Sequence, residues 1–299
     1  MGLRPMFGNH NKRVPIPILL DTDPGSDIDD ALAISYLLSQ PECELVGITT
    51  VTGDVVKRAA IVEALCEAVS RRHIPIVAGR QGVLAYGPGQ PNVPQYEAIL
   101  DHHLRLDRKP NQAVDFLRAA IRKRPGEITL LSIGPFSNVA LLFAIDPEIP
   151  HLLRDFVSMA GAFHGYDNLE WNCRCDPAAT AMVATAPRAR HRWIGLDVTM
   201  QCALDREACE RQFKGPLLSL VLKMAGDWFE RSSRIVFHDP LAAASVFEPG
   251  LCTYKEGTVV IHPEDGKTLF TEGVGSDQVA LTVDSARFFE HFFSTIALR

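Results

Sequence analysis

Long apolar runs are missing from this sequence, and none of its hydrophobic stretches reaches the roughly 20 residues that a membrane span requires. Met1 to Arg13 is polar and punctuated by proline and glycine, without the apolar centre of a secretory signal, and is read as an N-terminal tail. An excess of positive charge is missing too: 30 Lys and Arg stand against 36 Asp and Glu, for a net charge of −6. The short basic runs Arg71-Arg72, Arg122-Lys123-Arg124 and Arg188 to Arg192 sit beside expected helix ends or loops, as solvated surface charge does. These features argue against a nucleic acid or an anionic membrane as partner. The seven cysteines make an odd count and form no paired zinc pattern; Cys173 and Cys175, spaced C-x-C, are read as packing residues. Reduced thiols in a cytoplasm are the expectation. Low-complexity linkers, internal repeats and sharp shifts of composition are also lacking.

What is present is alternation. Short, β-branched apolar runs (Val14–Leu20, Leu45–Val51, Ile74–Ala78, Ile128–Ile133, Phe156–Met159 and Trp193–Leu196) read as buried strands. Helical patterns lie between them at Asp29–Ser39, Val55–Ser70, Ala113–Lys123, Asn138–Ala144 and Pro177–Thr185. Leu204–Arg234 reads as largely helical, and Gln278–Val283 then Ser285–Ala297 as a last strand and helix. Strands apolar along their whole length, separated by helices, predict an α/β fold with an open, mostly parallel sheet covered on both faces. We expect one domain over residues 14–299. Ligands of such sheets bind beyond the carboxyl ends of the strands, so chemistry is sought in the loops there.

The first of these loops carries the strongest signal. In Ile18-Leu-Leu-Asp-Thr-Asp-Pro-Gly-Ser-Asp-Ile-Asp-Asp-Ala-Leu-Ala-Ile34 an apolar strand runs into Asp21, Asp23, Asp27, Asp29 and Asp30, then into an apolar helix. Helix capping by Asp27 or Asp29 accounts for one carboxylate or two, and not for five. Carboxylates crowded in one turn repel unless a cation or proton neutralises them. Oxygen-only donors suit a hard divalent ion, calcium or magnesium, rather than zinc. Four later segments are weaker singly. Ile48-Thr-Thr-Val-Thr-Gly-Asp54 ends a strand in a small-residue turn, where Asp54 is by default a helix cap. Leu130-Leu-Ser-Ile-Gly-Pro-Phe-Ser-Asn138 is a strand, a Gly-Pro turn and a helix start. After Met159, His164 lies in a glycine-containing loop, and Glu170 and Asn172 flank Trp171. His238-Asp-Pro240 opens a short apolar helix, Leu241–Val246.

In this order the five segments resemble the inosine–uridine-preferring nucleoside hydrolase family, from Val14 to the C-terminal helix. The D-x-D-P-G…D-D-A-L-A-I opening is the most specific piece, supported by Gly195-Leu-Asp-Val-Thr199 and the segments above. The resemblance implies an open α/β fold of the doubly wound type, one Ca²⁺ at the base of the pocket and hydrolysis of ribonucleosides to base and ribose. It implies that Asp23 is both a calcium ligand and the general base that deprotonates the attacking, calcium-bound water. Asp30, Asp239 and the backbone carbonyl of Ile133 complete the protein ligands, and Asp21 supports them. Asp29, Asp54, Asn168, Glu170 and Asn172 resemble residues that hold ribose hydroxyls, with Asp239 also on the substrate and Met159 beneath the sugar ring. His238 is the candidate acid for the leaving base, with Trp228 and His164 as stackers or donors. A homo-oligomer, dimer or tetramer, is implied as well.

Two departures stand out. Ser26-Asp27-Ile28 separates Gly25 from Asp29 where the family pattern has one residue. A gapless match would put Ile28 at a metal position, which its side chain cannot fill, so Asp29-Asp30 is taken as the matching pair and Asp27 as an addition beside or within the coordination sphere. The family's His-Gly-x-x-Gly-Leu-Gly stretch is replaced by Tyr86-Gly-Pro-Gly-Gln-Pro-Asn92, followed by Asp101-His-His103. Two other functions fit parts of the pattern. Asp21-Thr-Asp23 after a strand is similar to the D-x-D motif of haloacid-dehalogenase-type, Mg²⁺-dependent phosphatases, although Pro24-Gly25 follows it here. A non-catalytic calcium- or ribose-binding module would keep the acids without needing a base.

Overall fold

A computed structural model describes residues 14–297 apart from His103, and the side chain of Asn168 also lies outside the described set, as do the expected tail 1–13 and the last two residues. In chain order the strands are β1 (Ile16–Thr22), β2 (Cys43–Thr50), β3 (Ile76–Ala78), β4 (Thr129–Ser132), β5 (Asp155–Met159), β6 (His191–Ile194), β7 (Ala203–Asp205), β8 (Arg234–Val236), β9 (Cys252–Ile261), β10 (Thr268–Glu272) and β11 (Asp277–Val283). Nine of them form one sheet in the order β10-β9-β11-β6-β5-β4-β1-β2-β3. From β3 across to β11 every pairing is parallel, and β9 and β10 close one edge in antiparallel pairing. The chain order reverses between β1 and β4, where crossovers leave to opposite sides and a crevice opens beyond the strand ends.

Alternation along the strands builds a core on each face. Ile18 and Leu20 of β1 pack with the helices Asp29–Ser39, Val55–Ala68, Gly215–Arg231, His238–Phe247 and Ser285–Ile296. Leu19, Leu130, Phe156 and Trp193 pack on the other side with Ala113–Lys123, Ser137–Ile145 and Pro177–Thr185. Burying side chains of this size contributes roughly 1.5–3 kcal/mol each, so the central strands have no alternative register that keeps both faces filled.

The expected parallel strands are all present, with ends moved by at most two residues. β1 runs to Thr22 rather than Leu20, and Leu196 belongs to the helical turn Leu196–Thr199 instead of a strand. The helix expected to reach Ser70 stops at Ala68, with Ser70 in left-handed backbone. Leu204–Arg234 is not one helical stretch. Its ends pair as the ribbon β7–β8, and the helices Arg206–Gln212 and Gly215–Arg231 lie between them. The hairpin β9–β10 was not expected: it forms an edge, and β9 alternates buried with exposed residues instead of reading as an apolar run. The basic runs are largely spent on carboxylates, with Arg122 on Asp146, Arg124 on Glu44 and Arg192 on Asp155.

Candidate active site

The carboxyl ends of β1, β4 and β5 open into a cleft of about 550 Å³. Its lining includes Asp23, Asp29, Asp30, Ile133, Met159, Glu170, Asn172, His238 and Asp239. Chain segments as distant as residues 23 and 239 meet here because β1 and β4 are neighbours and the helix Asp29–Ser39 packs along His238–Phe247.

Asp29 and Asp30 are the first two residues of their helix, and Asp239 is the second of its own. None of them is the cap. The N-cap positions fall on Ile28 and Phe237, neither of which makes a side-chain capping bond. Asp27, half-buried at the cleft, accepts from the Ile28 N–H at 2.6 Å. The capping explanation therefore leaves Asp29, Asp30 and Asp239 unaccounted for. Their carboxylates are buried, and one oxygen from each lies within 4.8 Å of the others. Two helix N-termini face this group and favour negative charge. Burial still pushes Asp29 and Asp239 well above the ordinary carboxylate range; the charges of Asp27 and Asp30 raise Asp29 further, the Asp239 N–H opposes that rise, and the charge of Asp29 raises Asp239. Asp30 is pushed up to about 6, chiefly by burial, while the Thr22 hydroxyl and the Asp23 N–H (3.0 Å) donate to it and oppose the rise. Three buried oxygen donors of one sign suit a hard divalent cation, so the residues fit the ion that the family resemblance implies.

Asp23 also lines the cleft and is 5% exposed. Burial, then the Asp30 charge, raises its carboxyl far above normal. A Cβ placed on Gly134 would lie 2.8 Å from Asp23 Oδ1, so the Gly-Pro turn after β4 leaves room for this side chain. Asp21, one pleat earlier, is fully buried and lies outside the cleft lining. Its Oδ1 accepts from Thr49 Oγ1 at 2.5 Å and Asn138 Nδ2 at 2.8 Å, which ties together three neighbouring segments. Burial lifts it to about 7. A phosphatase of the D-x-D type needs that first aspartate at the substrate, and here it is walled off.

Across the cleft, Asn172 Nδ2 donates to the carbonyls of Ile133 (3.0 Å) and Met159 (3.1 Å). The Ile133 carbonyl thus has one acceptor direction in use and a second remaining. Glu170 caps the short helix Trp171–Cys175: Oε1 accepts from Asn172 N at 2.7 Å and Oε2 from Cys173 N at 3.0 Å and Gly161 N at 3.3 Å. Met159 ends β5 at the cleft floor. His238 lines the wall, with Nδ1 2.7 Å from Thr199 Oγ1, and burial pushes its imidazole down to about 4. Trp228 lines the wall too, but its indole N–H is already given to the Arg234 carbonyl at 2.9 Å.

Other expected residues are not brought into the lining. Asp54 caps the helix Val55–Ala68 by accepting from Lys57 N at 3.0 Å. His164 is exposed and gives its backbone N–H to Asp197 at 2.7 Å. Asn168 ends a short 3₁₀ turn, Tyr166–Asn168, and as a site residue it lies outside what is described. The mouth is instead formed by residues that sequence reasoning did not assign, among them Gln90, Asn92, Trp171, Arg174 and Arg231. The largest omission is Arg58, a fully buried arginine behind the aspartates. Its signal was its place on the apolar stripe Val55, Arg58, Val62 and Leu65, where a charge is out of pattern.

Comparison with known proteins decides the family. The model of the inosine-uridine preferring nucleoside hydrolases matches residues 18–290. The chain belongs to that family. It is 31% identical to uridine nucleosidase 1 of Arabidopsis thaliana, over 90% of this chain and 84% of the relative. It is likewise 31% identical to the non-specific ribonucleoside hydrolase RihC of Escherichia coli K12, over 95% and 99% of the two chains. A solved plant nucleoside hydrolase superposes with a TM-score of 0.79 at 25% identity, over 94% of this chain and 99% of that one. The chain is accordingly a nucleoside hydrolase, an enzyme acting on ribonucleosides.

Proposed function

We propose that this nucleoside hydrolase cleaves the N-ribosidic bond with one calcium ion at the cleft floor and with Asp23 as general base. The observation that carries the proposal is the buried trio Asp29, Asp30 and Asp239, gathered within 4.8 Å at the point where the sheet order reverses. Asp30 and Asp239 would hold the ion, with Asp23 and the Ile133 carbonyl completing the protein donors and Asp29 shared between ion and sugar. When bound, such an ion holds the cis hydroxyls of ribose and lowers the pKa of a nearby water.

The chain's own groups perform the rest. Asp23, raised by burial and by Asp30, takes a proton from the attacking water. Cleavage passes through an oxocarbenium-like ring, as in other glycoside hydrolysis, and the surrounding carboxylates oppose the positive charge that develops there. Met159 and Asn172 support the sugar from beneath, and Asn172 also locks the Ile133 carbonyl. His238 is neutral at pH 7. When Thr199 donates to its Nδ1, its Nε2–H is left for the departing base. Trp228, with its N–H occupied, offers a ring face for stacking. All seven cysteines are free, which supports a reducing cytoplasm, and the family resemblance supports a dimer or tetramer, readable by sedimentation velocity.

The decisive experiment is a ribonucleoside panel assayed for released reducing sugar, with and without chelator. At least one purine or pyrimidine ribonucleoside is cleaved, 2′-deoxy analogues are poor, chelation abolishes turnover and Ca²⁺ restores it. Turnover that survives exhaustive chelation would remove the ion from the mechanism.

A further inference from the structure

Arg58 has no exposed surface and lies on the inward face of the helix Val55–Ala68, behind the cleft. A buried cation is expected to sit on a carboxylate, because desolvation is otherwise too costly. Arg58 donates none of its hydrogen bonds to one. Its Nε–H goes to the Thr52 carbonyl at 2.8 Å. Nη1 donates to the carbonyls of Asp23 and of Pro24, the latter at 3.0 Å. Nη2 donates to the carbonyls of Gln90 at 2.6 Å and Asn92 at 3.5 Å. A guanidinium has five N–H donors, and here five backbone carbonyls receive them.

Those carbonyls belong to three separate segments. Asp23 and Pro24 leave β1 and carry the carboxylate we assign as base. Thr52 leaves β2. Gln90 and Asn92 form part of the cleft mouth. The segments are also close-packed: a Cβ on Gly53 would fall 2.3 Å from the Gln90 carbonyl oxygen, and Thr52 Oγ1 accepts from Gln90 N at 2.9 Å. The charge of Arg58 is balanced through space by Asp23 and Asp30 rather than by contact. One side chain therefore faces the acidic floor electrostatically and holds the mouth mechanically.

We infer that Arg58 is a positioning residue that locks the Gln90–Asn92 wall to the Asp23 turn, so that ion affinity at the floor and substrate binding at the mouth depend on one clamp. A lysine cannot replace it, since an ammonium has three donors and no planar fork to span three segments. The kinetic part rests on the function proposed above; the binding and exchange parts do not.

The test uses the full chain and Arg58→Lys, with circular dichroism and thermal melting to establish folding. Calorimetric titration with Ca²⁺ alone measures the floor, and hydrogen exchange of residues 88–93 measures the wall. KM and kcat are taken on a ribonucleoside that the wild type cleaves. Arg58→Lys is expected to stay folded, bind Ca²⁺ at least about tenfold more weakly, raise KM at least about tenfold and exchange faster at 88–93, while amides of the helix Ser285–Ile296 are unchanged. A folded variant with wild-type Ca²⁺ affinity and KM, reduced only in kcat or in yield, would show a purely structural arginine and overturn the inference. Should Arg58→Lys fail to fold, the wild type decides: saturating Ca²⁺ must slow exchange at 88–93, and unchanged exchange there sinks the clamp. A wild type that binds Ca²⁺ but cleaves no nucleoside defeats the proposed function while the Ca²⁺ and exchange measurements still judge Arg58.

Discussion

Neighbouring carboxylates behave differently here because burial and partners differ atom by atom. Asp21 and Asp23 are two residues apart on one strand end, so their side chains leave in related directions; yet Asp21 is bound by Thr49 and Asn138, while Asp23 opens onto the cleft. Only the second can reach a substrate. Asp23→Ala should lower kcat by about 10²–10⁴-fold in a reducing-sugar assay, the usual consequence of losing a working base. Asp21→Ala should instead appear mainly in a melting curve, since it strands two donors. His238 separates the two halves of the reaction. If it assists the departing base, His238→Ala slows hydrolysis of natural nucleosides by about 10²-fold or more, yet barely affects p-nitrophenyl riboside, whose leaving group needs no proton. Equal losses on both substrates would assign His238 to positioning.

Elements explain which parts of this arrangement could be read from the sequence. The parallel strands were legible because they are buried on both faces and write themselves as unbroken apolar runs, as at Leu130-Leu131 and Phe156-Val157. The aspartate turn was legible because its charge density exceeds what capping requires. The edge hairpin was not, since the half-exposed β9 carries the weaker period-two pattern. Arg58 left only a faint mark, a charge on an apolar stripe, and its role stayed hidden because four of its five carbonyl partners lie 32 to 35 residues away in sequence. Asp54 shows the reverse case: its position in a family-like turn suggested the sugar, while the default reading from its place before a helix, a cap, is what its carboxylate forms here. The Gly-Pro turn after β4 drew notice only for the Ile133 carbonyl, yet its Gly134 also leaves room for Asp23. Gly134→Ala puts a methyl 2.8 Å from Asp23 Oδ1 and 2.9 Å from Val51 Cγ1, so one of these side chains must shift. The expected outcome is a loss of about 1–3 kcal/mol in urea unfolding, with a fall in kcat larger than any rise in KM. A variant with wild-type turnover would mean that Asp23 has slack.

For the whole molecule, the acid cluster makes stability, pH and metal one linked problem. Asp21 near 7 and Asp30 near 6 both lie above the unfolded value of 3.8, so between these limits the metal-free native state holds more protons than the unfolded chain. Stability then falls as pH rises, because its slope follows the protons bound by the unfolded state minus those bound by the native one. These two groups stabilise fully below about pH 4, and their contribution is lost as pH passes through 6 to 7. His238 acts in the opposite sense. Its folded value near 4 lies below the unfolded 6.5, so it costs stability as pH falls through that interval. His191 and His291 are lowered as well, and the histidine term fades over about one pH unit above 6.5, beyond which the raised carboxylates set the slope. Metal-free protein should therefore lose Tm as pH is raised above about 7.5. Calcium reverses this, since an ion held by Asp30 and its neighbours displaces their protons and binds more tightly as pH rises. Melting curves at pH 5 to 8, with chelator and with excess Ca²⁺, should diverge, and the gap should widen with pH. Parallel curves would mean that the acids titrate independently of the ion, and the buried trio would then need another occupant.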